Sequence, residues 1–475
     1  MKMSETLTHL VGGEKVAGAG HFRDMDPYRG DVVCEAPEGA AADVDLAVAA
    51  AARAAPEVAA MPAYERAAIL RRAAELVVER ADEIGRIMAV ETGKAIADAR
   101  AEVRRSTDTL SLSADEAIRI EGEHVPLDGS QMGHGKLAVI TRFPVGVVGA
   151  ITPFNAPFNL ACHKLGPSFA AGNATVIKPP QQCPLVVHRL VELLYDAGMP
   201  RHFVNVVHGG PDAGRALVRD ERVGAITFTG SSRAGREIRA MAGLRKVALE
   251  LGGNGPTIVC ADADVDAIAP MLARNATRLA GQSCISVQNI FVHRSLADAL
   301  TERVAAHMSA LKLGDPLDDA TDIGTLIDEE SARRVEQWVA EAAAAGARVV
   351  TGGTRHGAAF EPTLLAGVDA GARIVCDEIF GPVANVIAFD DIDEAVAAVN
   401  ASAYGLQCGV LSNSLKTCMD LARRIRTGGV ILGGTSTWRT DQLAYGGVKD
   451  SGIGREGPKY AIRDLTEERL ILFNV

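Results

Sequence analysis

The feature that most constrains the fold is a repeated exchange between short β-branched or apolar runs and longer helical stretches. It begins at 145–151 and recurs at 174–177, 203–207, 225–228 and 247–249. Each run suits one buried strand and each intervening stretch suits a crossover helix, which predicts βαβ units in a mainly parallel, doubly wound sheet. A second series starts at 257–259 and continues through 289–292, 347–350, 384–387 and 429–432. Two α/β lobes therefore meet near Gly252-Gly253, where a cleft is expected. Upstream, 42–118 is rich in Ala, Leu, Glu and Arg with apolar residues at helical spacing, and reads as packed surface helices. The segments 121–141 and 468–475 read as strands outside both series. With little core of their own, they need another element or another subunit to pair with.

A chain of 475 residues with 48% hydrophobic content exceeds one ordinary core, in keeping with two or three domains. The net charge of -11 leaves no broad basic face for a phosphate backbone, so small molecules rather than nucleic acid are the expected partners. Charge breaks every Ala/Val-rich run, as Arg53 and Glu57 do, and no membrane span is expected. Met1-Lys2-Met3-Ser4-Glu5 lacks an apolar core followed by a small-residue cleavage site, from which a cytoplasmic location is expected. The 8 cysteines lie far apart without a CxxC pair, and neither disulfides nor a metal site are expected.

Glu250-Leu251-Gly252-Gly253 leaves a predicted strand into a glycine turn, and Gly281-Gln282-Ser283-Cys284 follows a helical stretch. Thr152-Pro153-Phe154-Asn155-Ala156-Pro157 ends another predicted strand. Together with 172–179 (GNATVIKP), Phe228-Thr229-Gly230-Ser231, Glu378-Ile379-Phe380-Gly381-Pro382 and 446–457 (GGVKDSGIGREG), these resemble the aldehyde dehydrogenase superfamily over nearly the whole chain. The resemblance implies an α/β fold with a Rossmann-like dinucleotide-binding domain (1–120 and 142–251), a catalytic α/β domain (252–460) and oligomerisation strands (121–141 and 461–475). A homodimer or homotetramer is implied as well.

The chemistry explains these residue types. A thiol near its reference pKa of about 8.5 is mostly protonated at neutral pH, so a nucleophilic Cys284 needs an activating environment. Attack on an aldehyde creates an oxyanion, for which the resemblance implies the Asn155 amide and the Cys284 N–H as donors. After hydride transfer a thioester remains, and Glu250 is the implied general base that activates water. That carboxylate argues against the branch that passes the thioester to coenzyme A. Lys164 and Glu456 match positions of an implied proton relay. Read without the resemblance, a cysteine hydrolase or acyltransferase lacking redox chemistry is the alternative. It requires a histidine partner such as His163.

The formal GxGxxG at 452–457 is rejected as a dinucleotide fingerprint, because only 458–475 follow it, too few for the helix, strand and acid that motif requires; it reads as a turn. The resemblance instead implies NAD or NADP held by Thr152, Pro153, Lys178, Gln181, Gly230, Ser231, Leu251, Glu378 and Phe380. Lys178 falls near the adenosine ribose and Gly230-Ser231 open a helix suited to the pyrophosphate. NAD-preferring relatives often carry a glutamate three residues after the lysine; Gln181 stands there, which leaves both cofactors open. For the substrate, Arg104, Arg105 and Arg439 correspond to places where relatives acting on lactaldehyde or phosphonoacetaldehyde bind small anionic aldehydes. Ser283 replaces the arginine of relatives that take phosphorylated substrates, so a small hydroxylated or acid-bearing aldehyde is preferred over a sugar phosphate.

Overall fold

The runs read between 145 and 249 form the parallel centre of an eight-stranded sheet in the computed structural model, which describes residues 5–474. The leading residues read for targeting, Met1 to Ser4, and Val475 of the expected tail strand lie outside the described residues. The central order is Lys246–Glu250, Ala225–Thr229, Val147–Ile151, Ala174–Lys178, Val204–Val206, all parallel. Every residue of Val147–Ile151 and Ala174–Lys178 is buried, as helices on both faces require. The strand order reverses between Val147–Ile151 and Ala225–Thr229, whose carboxyl ends lead into Thr152-Pro153 and Gly230-Ser231. That reversal opens a crevice where ligands bind in such sheets.

Antiparallel strands close both edges. The short hairpin His9–Val11 and Glu14–Val16 covers one, and Gly452–Ile453 pairs with Lys246–Glu250 on the other. The glycine-rich 452–457 segment, read as a turn and assigned to the second lobe, thus also supplies an edge strand to the first sheet. Glycine is needed there: at Gly452 (φ 148°) a Cβ would stand 2.2 Å from the Leu249 carbonyl oxygen.

The second series builds a seven-stranded sheet in the order Arg348–Thr351, Thr363–Ala366, Val383–Phe389, Asn289–His293, Pro256–Val259, Gln407–Leu411, Gly429–Leu432. Only the Arg348–Thr351 edge is antiparallel. Thr363–Ala366 and Gln407–Leu411 were not among the runs read from sequence. Gln407–Leu411 carries a glycine and a buried glutamine where an apolar run is expected. Gly409 is there because a Cβ would come 2.6 Å from the Cα of Thr435, whose segment crosses close by.

The two segments expected to need outside partners find one in each other. Thr466–Asn474 pairs antiparallel with Lys136–Pro144 along its whole length, and Glu123–Val125 joins the other side. The expected strand segment 461–475 begins as the end of a helix, Pro458–Asp464. Among the described residues no helix is long and apolar enough to cross a membrane.

Candidate active site

Cys284 is half-buried on the loop between the helix Val265–Thr277 and the strand Asn289–His293. Leu279 (φ 56°), Ala280 (φ 51°) and Gly281 (φ 70°) form a left-handed turn just before it. A Cβ at Gly281 would approach the Gly381 carbonyl oxygen to 1.9 Å. Such backbone costs on the order of 1 kcal/mol or more per non-glycine residue and concentrates at functional sites. The Cys284 Sγ lies 3.1 Å from the Tyr445 hydroxyl oxygen. Burial pushes the thiol up to about 12, more than Tyr445 and Arg439 pull it down. Desolvation thus opposes ionisation of the sulfur, while the Tyr445 hydroxyl and the Arg439 charge favour it.

Asn155 stands where Val147–Ile151 gives way to the helix Pro157–Ala170. Its Nδ2 donates to the Gln282 carbonyl at 3.0 Å, which ties the amide to the nucleophile loop and leaves the second N–H for another acceptor. The Asn155 carbonyl accepts from Lys94 Nζ at 2.7 Å, and Lys94 is ion-paired to Glu102. The other Glu102 oxygen accepts from the Phe158 and Asn159 N–H groups at the helix start. Lys94 and Glu102 carry no local signal in the sequence, and their role comes only from packing.

Glu250 ends its strand with a buried carboxyl on the cleft, one oxygen of which has no hydrogen-bond partner among the described residues. A Cβ on Gly446 would stand 2.9 Å from the other oxygen, so the glycine leaves room for the carboxylate. Burial, reinforced by the like charge of Glu456, pushes Glu250 well above the usual carboxylate range. Glu456 is held down by His163, Arg439 and Lys164 despite its own burial, and pairs with Arg439 at 2.7 Å. Lys164 donates to Thr229 Oγ1 at 2.8 Å and Thr227 Oγ1 at 3.2 Å; burial lowers its pKa, while Glu456 and Glu250 oppose that. Lys164 and Glu456 thus share the field of Glu250 without a direct hydrogen bond to it.

A cavity of about 490 Å³ joins the carboxyl edge of the first sheet to the nucleophile loop. Pro153, Asn155, Gly230, Ser231, Glu250, Leu251, Cys284, Glu378, Phe380, Arg105, Arg439 and Glu456 all line it. Glu378 accepts from the Gly253 N–H at 3.1 Å and burial raises its pKa to about 7. Phe380 (φ 50°) is held in left-handed backbone, its ring edge-on to Phe154. Ser231 caps the helix Ser232–Ala242 by accepting from the Ala234 N–H. Thr152 Oγ1 is buried at the end of the central strand with no partner among the described residues, an orphaned hydroxyl that suits a polar ligand in the crevice.

Lys178 and Gln181 do not line this cavity but stand farther along the same sheet edge. Lys178 is buried rather than a solvated strand end; it donates to the Pro179 and Gly209 carbonyls, and burial lowers it to about 8. Gln181 donates to Glu38, whose other oxygen accepts from the Gly210 N–H.

Of the substrate arginines, Arg104 is exposed and absent from the lining, because it points to the outer face of its helix. Arg105 reaches the cleft and pairs with Asp441, which also accepts from Thr109 and faces His163. Arg278, not singled out in the sequence, lines the cleft as well and pairs with Asp98 at 3.0 Å. The Arg439 side chain is buried, with its guanidinium carbon 3.7 Å from the Tyr445 ring centre. Among the described residues no histidine lines the cavity, and His163 faces Asp441 and Arg439, so the thiol–histidine pair of a cysteine hydrolase is not formed.

The sequence profile of the Aldehyde dehydrogenase family matches residues 15–471. The chain belongs to the aldehyde dehydrogenase family. Oxidation of aldehydes to acids with NAD or NADP is the activity of that family. A 3-sulfolactaldehyde dehydrogenase of Priestia megaterium is 43% identical over 466 residues, covering 98% of this chain and 97% of that one. The crystal structure of aldehyde dehydrogenase 21 from Physcomitrella patens with its reaction product succinate superposes with a TM-score of 0.96 at 38% identity, covering 99% of both chains. A Methanocaldococcus jannaschii glyceraldehyde-3-phosphate dehydrogenase complexed with NADP gives 0.92 at 35% identity, covering 96% of this chain and 100% of that one.

Proposed function

We propose that this aldehyde dehydrogenase oxidises a small aldehyde carrying a second, anionic group, such as a sulfonate or carboxylate, to the corresponding acid. The observation that carries this reading is the placement of Arg105, Arg278 and Arg439 around the same cavity as Cys284, Asn155 and Glu250. A guanidinium binds carboxylate or sulfonate oxygens with directed N–H groups. Relatives named for 3-sulfolactaldehyde, aspartate semialdehyde, sulfoacetaldehyde and succinate semialdehyde support it.

In this reading Cys284 adds to the carbonyl carbon, and the oxyanion is met by the free Asn155 N–H and the Cys284 backbone N–H. A bound nicotinamide dinucleotide supplies the hydride acceptor, and a thioester remains on Cys284. Glu250 takes a proton from water for the attack that releases the acid, a role suited to a carboxyl whose pKa is raised by burial. Thr152, Gly230, Ser231, Glu378 and Phe380 would hold the dinucleotide in the crevice, and Lys178 and Gln181 would stand toward its adenosine. Glu38 restores there the carboxylate that Gln181 lacks, which favours NAD over NADP.

The deciding experiment compares kcat/KM for sulfolactaldehyde, succinate semialdehyde, lactaldehyde and neutral alkyl aldehydes, with reduced cofactor read at 340 nm. Anionic substrates are expected to lead by about 10-fold or more, since one charge-assisted hydrogen bond supplies that much. Equal or better turnover of neutral aldehydes would overturn the substrate class. Loss of all turnover in Cys284→Ser and a trapped acyl-enzyme in Glu250→Gln test the chemical roles.

A further inference from the structure

The geometry points to Tyr445 as a further catalytic residue: its phenolic hydroxyl donates the hydrogen bond that holds the Cys284 thiolate, and Arg439 stacked on its ring strengthens that donor. The inference rests on the reading of Cys284 as nucleophile. The hydroxyl oxygen lies 3.1 Å from the sulfur, within the reach of a hydrogen bond to sulfur. Tyr445 is buried, and its main chain is fixed on both sides by hydrogen bonds to Glu456, from its own N–H at 3.1 Å and from the Glu456 N–H at 2.6 Å. The main chain that carries the ring is therefore fixed, and the ring itself packs against Arg439.

The guanidinium of Arg439 sits 3.7 Å from the ring centre and is itself held by Glu456 at 2.7 Å. A cation over a phenol ring withdraws electron density and makes its O–H a better donor. Partial desolvation in the cleft disfavours a negative charge on the sulfur, and among the described residues no histidine lines the cleft to take the proton within an ion pair. When the S–H bond breaks, its proton passes to solvent and the O–H of Tyr445 turns to the sulfur anion. Tyr445 keeps its own proton throughout, since burial and the neighbouring Cys284 raise it well above its ordinary value. A phenylalanine would fill the same space and lose only this donor.

The test is the rate at which iodoacetamide alkylates Cys284 in the full-length protein without substrate or cofactor, followed between pH 7 and 10 on the Cys284 peptide by mass spectrometry. Reading that peptide separates the site from the exposed Cys376. Tyr445→Phe is expected to slow alkylation by roughly 10- to 100-fold at each pH, the range for one hydrogen bond to a charged group. Fluorotyrosine at position 445, a stronger donor of nearly unchanged shape, is expected to speed it. An unchanged rate in either variant would overturn the inference, and the fluorotyrosine arm keeps it testable if Tyr445→Phe folds poorly. Retained aldehyde oxidation in Cys284→Ser would instead remove the nucleophile assignment, which the alkylation result does not depend on.

Discussion

The side-chain amide of Gln181 donates a 2.9 Å hydrogen bond to the carboxylate of Glu38, a residue 143 positions earlier in the chain. A carboxylate thus lies close enough to Lys178 to favour its charge, even though the position three residues after that lysine is an amide. Glu38 is exposed, so its field is screened, and two charges about 4 Å apart there interact by about 1 to 4 kcal/mol. Glu38→Ala is expected to tighten NADP binding relative to NAD by about 10-fold, as measured by calorimetric titration of each cofactor. A ratio of dissociation constants equal to that of the wild type would remove Glu38 from cofactor selection.

The raised Glu250 carboxyl predicts the shape of the pH profile. Thioester hydrolysis needs its ionised form, so the rate climbs as pH rises through its elevated pKa and falls below it. Glu456→Gln removes a like charge and leaves Arg439 without its partner, and both changes favour the ionised Glu250. The acid limb of single-turnover acyl-enzyme hydrolysis should move to lower pH in that variant. A limb that stays in place would mean that another group titrates.

Removing Glu102 should damage both stability and rate. The Lys94–Glu102 pair is buried, and breaking one side of such a pair costs about 3–5 kcal/mol, read by urea unfolding. Glu102→Ala also releases the start of the helix after Asn155, so kcat should fall by roughly 100-fold or more if the amide leaves the oxyanion position. Normal kcat in a destabilised Glu102→Ala protein would detach the two effects.

The terminal sheet makes a prediction about assembly. Leu470 and Leu472 in Thr466–Asn474 are exposed, as is Phe473, an apolar edge that isolated proteins seldom leave uncovered. If this edge is an association surface, wild-type protein is expected to sediment above the mass of one chain, and Leu470→Lys combined with Leu472→Lys to lower that mass toward one chain. Wild-type protein sedimenting as a single chain would dismiss these strands as an association surface.

Local chemistry in the sequence was enough for the parallel centre of the first sheet and for Pro256–Val259, Asn289–His293 and Val383–Phe389 of the second, because buried strands flanked by crossover helices leave an unbroken apolar signature; Thr363–Ala366 and the glycine-bearing Gln407–Leu411 lack one. Cys284, Glu250 and Asn155 were singled out by the family resemblance of the motifs around them rather than by local chemistry, and the fold brings the three to one cavity. Edge strands such as Glu14–Val16 and Gly452–Ile453 were illegible, since a few half-exposed residues carry no periodicity. Tyr445 stood in plain view beside Gly446-Gly447, yet nothing nearby in the chain ties it to sulfur.

What the sequence by itself determined is which residue types the chemistry has at its disposal and on which strand ends they stand. Only the tertiary structure decided their partners: Glu38 with Gln181, Tyr445 with Cys284, Asp441 with Arg105, and the outward turn of Arg104. The physical reason is that hydrogen bonds and desolvation act over a few ångströms in space, whereas these partners are separated by up to several hundred residues of chain.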